Sequence, residues 1–175
     1  MNVKKLLRPV LLMVMMVLTT LSVLAQGGRG PSTPAERDTA VKAARLLGSE
    51  PFHKDAKKMR EWFTIWLIQV PDIQIELCSA YLGPVGGSKK NYSSEIVGQM
   101  MFSSAAFIIE HPEQANDRVA VNLAGVEGAL KVYEAILKAK PKAQWEFLDS
   151  LIAKQAKGEL NAYVQDVTQN KCTRK

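Results

Sequence analysis

Acid–base or metal chemistry in this chain would fall to His53 and His111, because its sequence holds no other histidine. His111 is the better placed, in the run Glu110-His111-Pro112-Glu113, where an imidazole beside carboxylates has the right groups for proton transfer. The spacing opposes that use. Adjacent residues at a helix end project in different directions, and neither H-E-x-x-H nor a cysteine pair supplies a metal geometry. His111 is expected instead to cap a helix C-terminus, leaving Glu110, His111 and Glu113 as the polar cluster that an unrecognised hydrolytic site would use. A nucleophile is the second chemistry to weigh. Cys78 lies in Leu-Cys-Ser-Ala-Tyr, which matches no nucleophile signature, and Cys172 is the only other cysteine. An even count in an oxidising compartment predicts a Cys78–Cys172 disulfide that consumes the thiol and ties the polar tail to the segment carrying Cys78. The third candidate is the run GPVGGSKK from Gly83. A phosphate cradle needs G-x-x-x-x-G-K-[ST] after a strand, and Ser88 stands where the second glycine belongs. It is expected to be a flexible connection with solvated lysines. No catalytic, cofactor-binding or metal-binding residue is assigned, and no cofactor is expected.

The elements that would position these residues read as helices. Thr33, Pro34 and Glu36 form a capping box with proline at the first helical position, and Gly48 closes that helix over the apolar residues Val41, Ala44 and Leu47 or Leu46. A second helix is expected from Lys54 to Val70, broken at Pro71. Asp72 can cap a short helix through Leu82, although Ile73, Ile75 and Leu77 alternate as a strand would; helix is preferred because no second strand exists to pair with it. The longest loop is expected over 83–92. Ser93 or Ser94 opens a helix to Glu110, with Ile96 or Val97, Met100, Phe107 and Ile108 on one face. From Val119, the residues Leu123, Val126, Leu130, Tyr133 and Leu137 recur at the spacing of one helical stripe. Ala124, Gly125, Gly128 and Ala129 keep one side of that helix small, which predicts close approach by a neighbouring helix. After Pro141 come two further apolar groups, Trp145, Leu148, Leu151 and Ile152, then Leu160, Tyr163, Val164 and Val167, with Gly158 placed to kink or divide them. The expected fold is all-α, a single domain over 33–175 of about five to seven helices in an orthogonal or bundle-like arrangement.

Within the second helix, Met59, Trp62, Phe63, Trp66, Leu67 and Val70 share one face and read as a core stripe. Ile65 and Ile68 fall on the opposite face among Glu61, Thr64 and Gln69. The preferred reading is a central helix covered on both sides; the alternative is that Ile65 and Ile68 form an exposed contact point for a partner.

The first 25 residues carry Lys4, Lys5 and Arg8, then an uncharged run from Pro9 to Ala25 with Val23 and Ala25 where a signal peptidase reads. A cleaved signal peptide over 1–25 is expected, followed by a glycine-rich flexible leader over 26–32, with localisation in the periplasm or outside the cell. No stable membrane span is expected in the mature chain. The first 25 residues hold three of the 23 basic side chains, leaving 20 against 17 acidic ones, so the net charge of the remainder is about +3 rather than +6. That balance gives no nucleic-acid footprint. The basic groups 54–58, 138–142 and 171–175 are expected to be solvated faces, with an acidic partner or anionic lipid surface as the other reading. Asn91, Tyr92 and Ser93 form an N-x-S sequon, which matters only in a host that glycosylates.

A helix ending in His111-Pro112-Glu113 and followed by an alanine-rich amphipathic helix is similar to small periplasmic immunity proteins of secreted cell-wall amidases. The resemblance gives no residue a role. The function read from the residues is a non-catalytic exported interaction domain that binds a protein or envelope component, with homo-oligomerisation open. Alternatives are an immunity or inhibitor protein for an exported toxin or hydrolase, and a hydrolytic enzyme with an unrecognised site.

Overall fold

Pro34 occupies the first turn of the first helix, and the Thr33 hydroxyl accepts the Glu36 backbone N–H at 3.3 Å while the Glu36 carboxylate accepts the Thr33 N–H at 2.8 Å. Each bond satisfies a donor that a helix N-terminus otherwise leaves unpaired. The computed structural model describes residues 29–172, so the expected signal peptide lies outside the described residues, as do positions 26–28 of the leader. From Pro31 onward the described residues form one compact unit. Its helices are α1 (Pro34–Ser49), α2 (Ala56–Gln69), α3 (Ser93–Glu110), α4 (Arg118–Ala139), α5 (Glu146–Ala156) and α6 (Leu160–Asn170), with 3-10 segments at Ser79–Gly87, Pro112–Gln114 and Pro141–Ala143. The described residues contain no strand, so the all-α expectation holds. None of these helices is long and apolar enough to cross a membrane.

The central element is α3. One side of it, through Ile96 and Met100, enters a core built with Tyr81, Val126, Leu130, Leu148 and Val164. The other side, through Phe102, Ala105 and Ile108, enters a second core shared with α1 and α2. Polar side chains on α3 are buried only where they find partners. Gln99 donates to the Ala44 carbonyl at 2.8 Å and Ser104 to the Val121 carbonyl at 3.1 Å, so neither is left as an unpaired dipole in the core. The predicted stripe on α4 is buried at Val126, Leu130 and Tyr133 and half-buried at its ends, Leu123 and Leu137. The small side of α4 meets α3 as its glycines predict. A Cβ on Gly125 would stand 3.0 Å from the Met100 carbonyl oxygen, and one on Gly128 would overlap Ser103. Gly158, at φ 74°, divides α5 from α6.

Three expectations need correction. The helix expected from Asp72 to Leu82 is absent: the chain runs irregularly to Cys78 and then forms a 3-10 segment. Asp72 does not cap. Its carboxylate accepts the Ser32 N–H at 2.8 Å, the Ser32 hydroxyl at 2.6 Å and the Arg37 guanidinium at 2.7 Å, so a tertiary ionic network outcompetes the local cap. The same network buries Ser32, fixing the end of what reads as a flexible leader. The loop expected over 83–92 is half ordered as 3-10 structure, and Gly83 at φ 54° kinks that segment where it passes against the Phe147 ring.

The expected disulfide is present, with Cα atoms of Cys78 and Cys172 5.9 Å apart. Arg118 reinforces it in a way the sequence does not announce. Its Nε and Nη2 donate to the two Glu76 oxygens at 2.8 and 2.7 Å, and Nη2 also donates to the Cys172 carbonyl at 2.6 Å. One guanidinium at the start of α4 thus fixes both strands of chain that the disulfide joins.

Candidate partner-binding surface

The polar cluster does not converge. His111 caps α3 through its backbone N–H to the Phe107 carbonyl, and its ring lies against Phe107 with centroids 4.7 Å apart. Its Nδ1 stands 3.7 Å from Glu113, but Glu110 turns away to pair with Arg45 of α1. The Glu113 carboxyl is held below its ordinary range by its own backbone N–H and by the Gln114 amide, features of an exposed 3-10 turn. His53 accepts the Asp55 N–H at 3.2 Å and so shapes the start of α2. Among the described residues no three potential ligands are grouped to hold a metal ion.

The two tryptophans of α2 resolve into core. Phe63 stacks on Phe102 of α3 with ring centroids 4.3 Å apart, Trp66 meets Phe63 edge-on at 5.6 Å, and Trp62 stacks on Trp66 at 5.8 Å. Each such contact adds roughly 0.5–1.5 kcal/mol beyond the area it buries. Ile65 and Ile68 are different: they are 54 % and 79 % exposed. The expectation that α2 is central and covered on both sides is therefore wrong. That position belongs to α3, and the segment after Pro71 that could have covered the outer face of α2 runs irregularly and sends Ile73 into the α1–α2 core instead.

Between α2 and α3 the surface dips into a groove of about 410 Å³ walled by Arg60, Thr64, Ile65, Glu95, Gly98 and Phe102. Arg60 donates to the Pro51 carbonyl at 2.5 Å; burial lowers its pKa, and the nearby Glu95 carboxylate opposes that shift. Next to Pro51, Phe52 is 45 % exposed and meets Tyr92 edge-on with centroids 5.3 Å apart. No family model, curated protein or solved structure matches the chain. Its surface is thus to be read from its own chemistry. Arg60 supplies a positive charge and Glu61 and Glu95 negative ones, beside apolar contact area at Ile65, Ile68 and Phe52. A mixed surface of that kind suits another protein, where apolar anchors sit within a polar rim.

A second apolar recess of about 360 Å³ lies beside the disulfide, walled by Leu77, Leu82, Val97, Met100 and Met101. Leu77 is 67 % exposed there. The sequence marks Ile65 and Ile68, because they fall off the core stripe of a regular helix. Phe52 and Leu77 escape notice because they occupy irregular segments, where no periodicity separates an inner from an outer side.

Proposed function

We propose that the protein is an exported, non-catalytic interaction module that engages a protein partner through the outer face of α2 and the groove beside it. The observation that carries this reading is the exposure of Ile65 and Ile68, 54 % and 79 %, on a helix whose other face enters the core through Ala56, Phe63 and Trp66. Burying an isoleucine side chain is worth roughly 1.5–3 kcal/mol, a gain that the chain on its own forgoes. Support for export comes from the charged and apolar N-terminal run, and from the Cys78–Cys172 bridge, since disulfides persist in oxidising compartments.

The test is site-specific photocrosslinking in cell-envelope extract of the source organism. A benzophenone side chain at position 68 is expected to give a discrete adduct, one at the exposed position of Gln165 on α6 is not, and Ile65→Ser should remove the first. A mature protein that sediments as a monomer and gives no adduct from position 68 would refute the reading.

A further inference from the structure

The loop 88–92 and the turn 139–145 are far apart in sequence and joined in space. The Asn91 carbonyl accepts the Trp145 indole N–H at 3.1 Å, and the Asn91 amide donates to the Gln144 carbonyl at 3.4 Å. Both Asn91 and Tyr92 adopt left-handed backbone conformations, at φ 47° and 59°. For residues with a Cβ this costs about 1 kcal/mol each and persists only where the surroundings impose it. Here the Ser93 hydroxyl donates to the Ser88 carbonyl at 2.7 Å, the Ser93 N–H donates to the Lys90 carbonyl at 3.0 Å, and the Phe52 ring backs Tyr92.

What this arrangement builds is a pocket of about 360 Å³. Tyr92 and Asn91 form one wall, Ala139, Pro141 and Ala143 supply apolar lining, and Lys140 and Lys142 complete it. Lys89 and Lys90 lead directly into the Asn91 wall, and Lys138 precedes Lys140 in the last turn of α4. All five lysines are exposed, and none has an ion-pair partner among the described residues. Asp149, which shares this end of the molecule, is engaged by the Tyr133 hydroxyl at 2.7 Å and the Gln144 amide at 2.8 Å. The contacts of Trp145, Gln144 and Phe52 hold the left-handed backbone in place and the α4 dipole favours Lys138, but among the described residues no carboxylate pairs with the lysine cluster.

We propose that this pocket binds an acidic peptide segment of a partner protein, with carboxylates meeting the lysines and one apolar side chain entering between Tyr92 and Pro141. The pocket wall contains no arginine, whose planar fork favours bidentate phosphate contacts, whereas flexible ammonium groups suit carboxylates spaced along a chain. An apolar lining calls for an apolar side chain, which a polyphosphate lacks. A net charge of about +3 after residue 25 also lacks the broad basic footprint of a nucleic-acid binder. The site uses other residues than the outer face of α2, so either can fail alone.

The test is fluorescence anisotropy on the folded, disulfide-bonded protein with a labelled peptide of three glutamates, one leucine and three glutamates. Saturable binding is expected at about 50 mM salt, weakening as salt rises. Lys140→Glu with Lys142→Glu should weaken it roughly tenfold or more, and glycine in place of the peptide's leucine by about threefold, while Ile65→Ser with Ile68→Ser leaves it unchanged. Binding that never saturates, or that ignores the lysine substitutions, overturns the site. Tighter binding of tripolyphosphate or of phosphatidylglycerol vesicles than of the peptide overturns the peptide as its ligand.

Discussion

Gly125→Ala and Gly98→Ala make the same chemical change inside a helix and should move stability in opposite directions. In a helix interior, alanine is favoured over glycine by about 1 kcal/mol because it loses less backbone entropy on folding. Gly98 is free to realise that gain. A Cβ there would lie 3.6 Å from the Phe102 ring, an ordinary contact, so Gly98→Ala is expected to stabilise by roughly 0.5–1 kcal/mol. Gly125 is not free. Its Cβ would stand 3.0 Å from the Met100 carbonyl oxygen, which cannot swing aside without moving α3, and would overlap the Ser104 hydroxyl, itself bonded to the Val121 carbonyl at 3.1 Å. Overpacking of this kind costs roughly 1–3 kcal/mol, so after the helix-propensity gain the net loss is about 1 kcal/mol.

The assay is urea unfolding followed by tryptophan fluorescence with the disulfide intact, reading the midpoint at constant slope. With a urea slope of about 2 kcal/mol/M, the two midpoints should separate by about 1 M. Ser104→Ala in the Gly125→Ala background removes the overlapping oxygen, so the double mutant should lose less than the sum of the single changes. A Gly125→Ala midpoint that rises with that of Gly98→Ala would refute the claim that the small face of α4 sets the α3–α4 distance.

Three further outcomes follow from single features. Replacing both Cys78 and Cys172 by alanine removes a bridge spanning a sequence separation of 94 and should cost about 4 kcal/mol of unfolding free energy; a urea midpoint that scarcely moves would count against that figure. Burial alone would raise the Asp72 pKa, but hydrogen bonds from Ser32 and Arg37 prevail and bring it down to about 2. A folded pKa below the unfolded one gives stability that is full above about pH 4 and is lost as pH falls toward 2; it amounts to roughly 1–2 kcal/mol once solvent screening of the 41 % exposed Arg37 is allowed for, and Asp72→Asn should flatten that part of the acid-unfolding curve. The Trp66 indole N–H is buried without a partner among the described residues, so Trp66→Phe should cost no more than about 2 kcal/mol in urea unfolding, against roughly 3–5 for Trp66→Ala.

Features specified within one or two helical turns are legible in the sequence. The Thr33 capping box, the α4 stripe and the break at Gly158 each rest on residues close along the chain, and the disulfide follows from having only two cysteines. What fails is set by distant partners. Asp72 has the composition of a helix cap, and only the arrival of Ser32 and Arg37 diverts it. The alternation of Ile73, Ile75 and Leu77 misleads about burial: positions two apart would share one face of a strand, yet Ile73 is buried, Ile75 half-buried and Leu77 exposed, and with no second strand to pair with, the segment makes neither helix nor sheet. The central position of α3 is concealed by Gln99 and Ser104, which look like surface residues until the carbonyls of Ala44 and Val121 are found beside them. The lysine pocket is hidden for the same reason: its two basic runs read as separate solvated faces, and the Trp145–Asn91 hydrogen bond that joins their segments is tertiary.

The start of α3 is where the unexplained features meet. Glu95 and Gly98 line the groove beside α2, Tyr92 immediately precedes the helix and walls the lysine pocket, and the Phe52 ring packs on Tyr92 from the α1–α2 turn. Two left-handed residues and two open isoleucines each forgo stability, whereas the α3–α4 contact, the disulfide and the Arg118 clamp supply it elsewhere. This division is what a rigid scaffold carrying a contact surface requires, because a surface that lowered its own free energy by folding inward would have nothing left to offer a partner. It also sets apart two classes of substitution. Changes at Ile65, Ile68, Lys140 and Lys142 should alter binding and leave the unfolding midpoint in place, while changes at Gly125 or Cys78 should do the reverse. A protein whose exposed features were incidental would give no such separation.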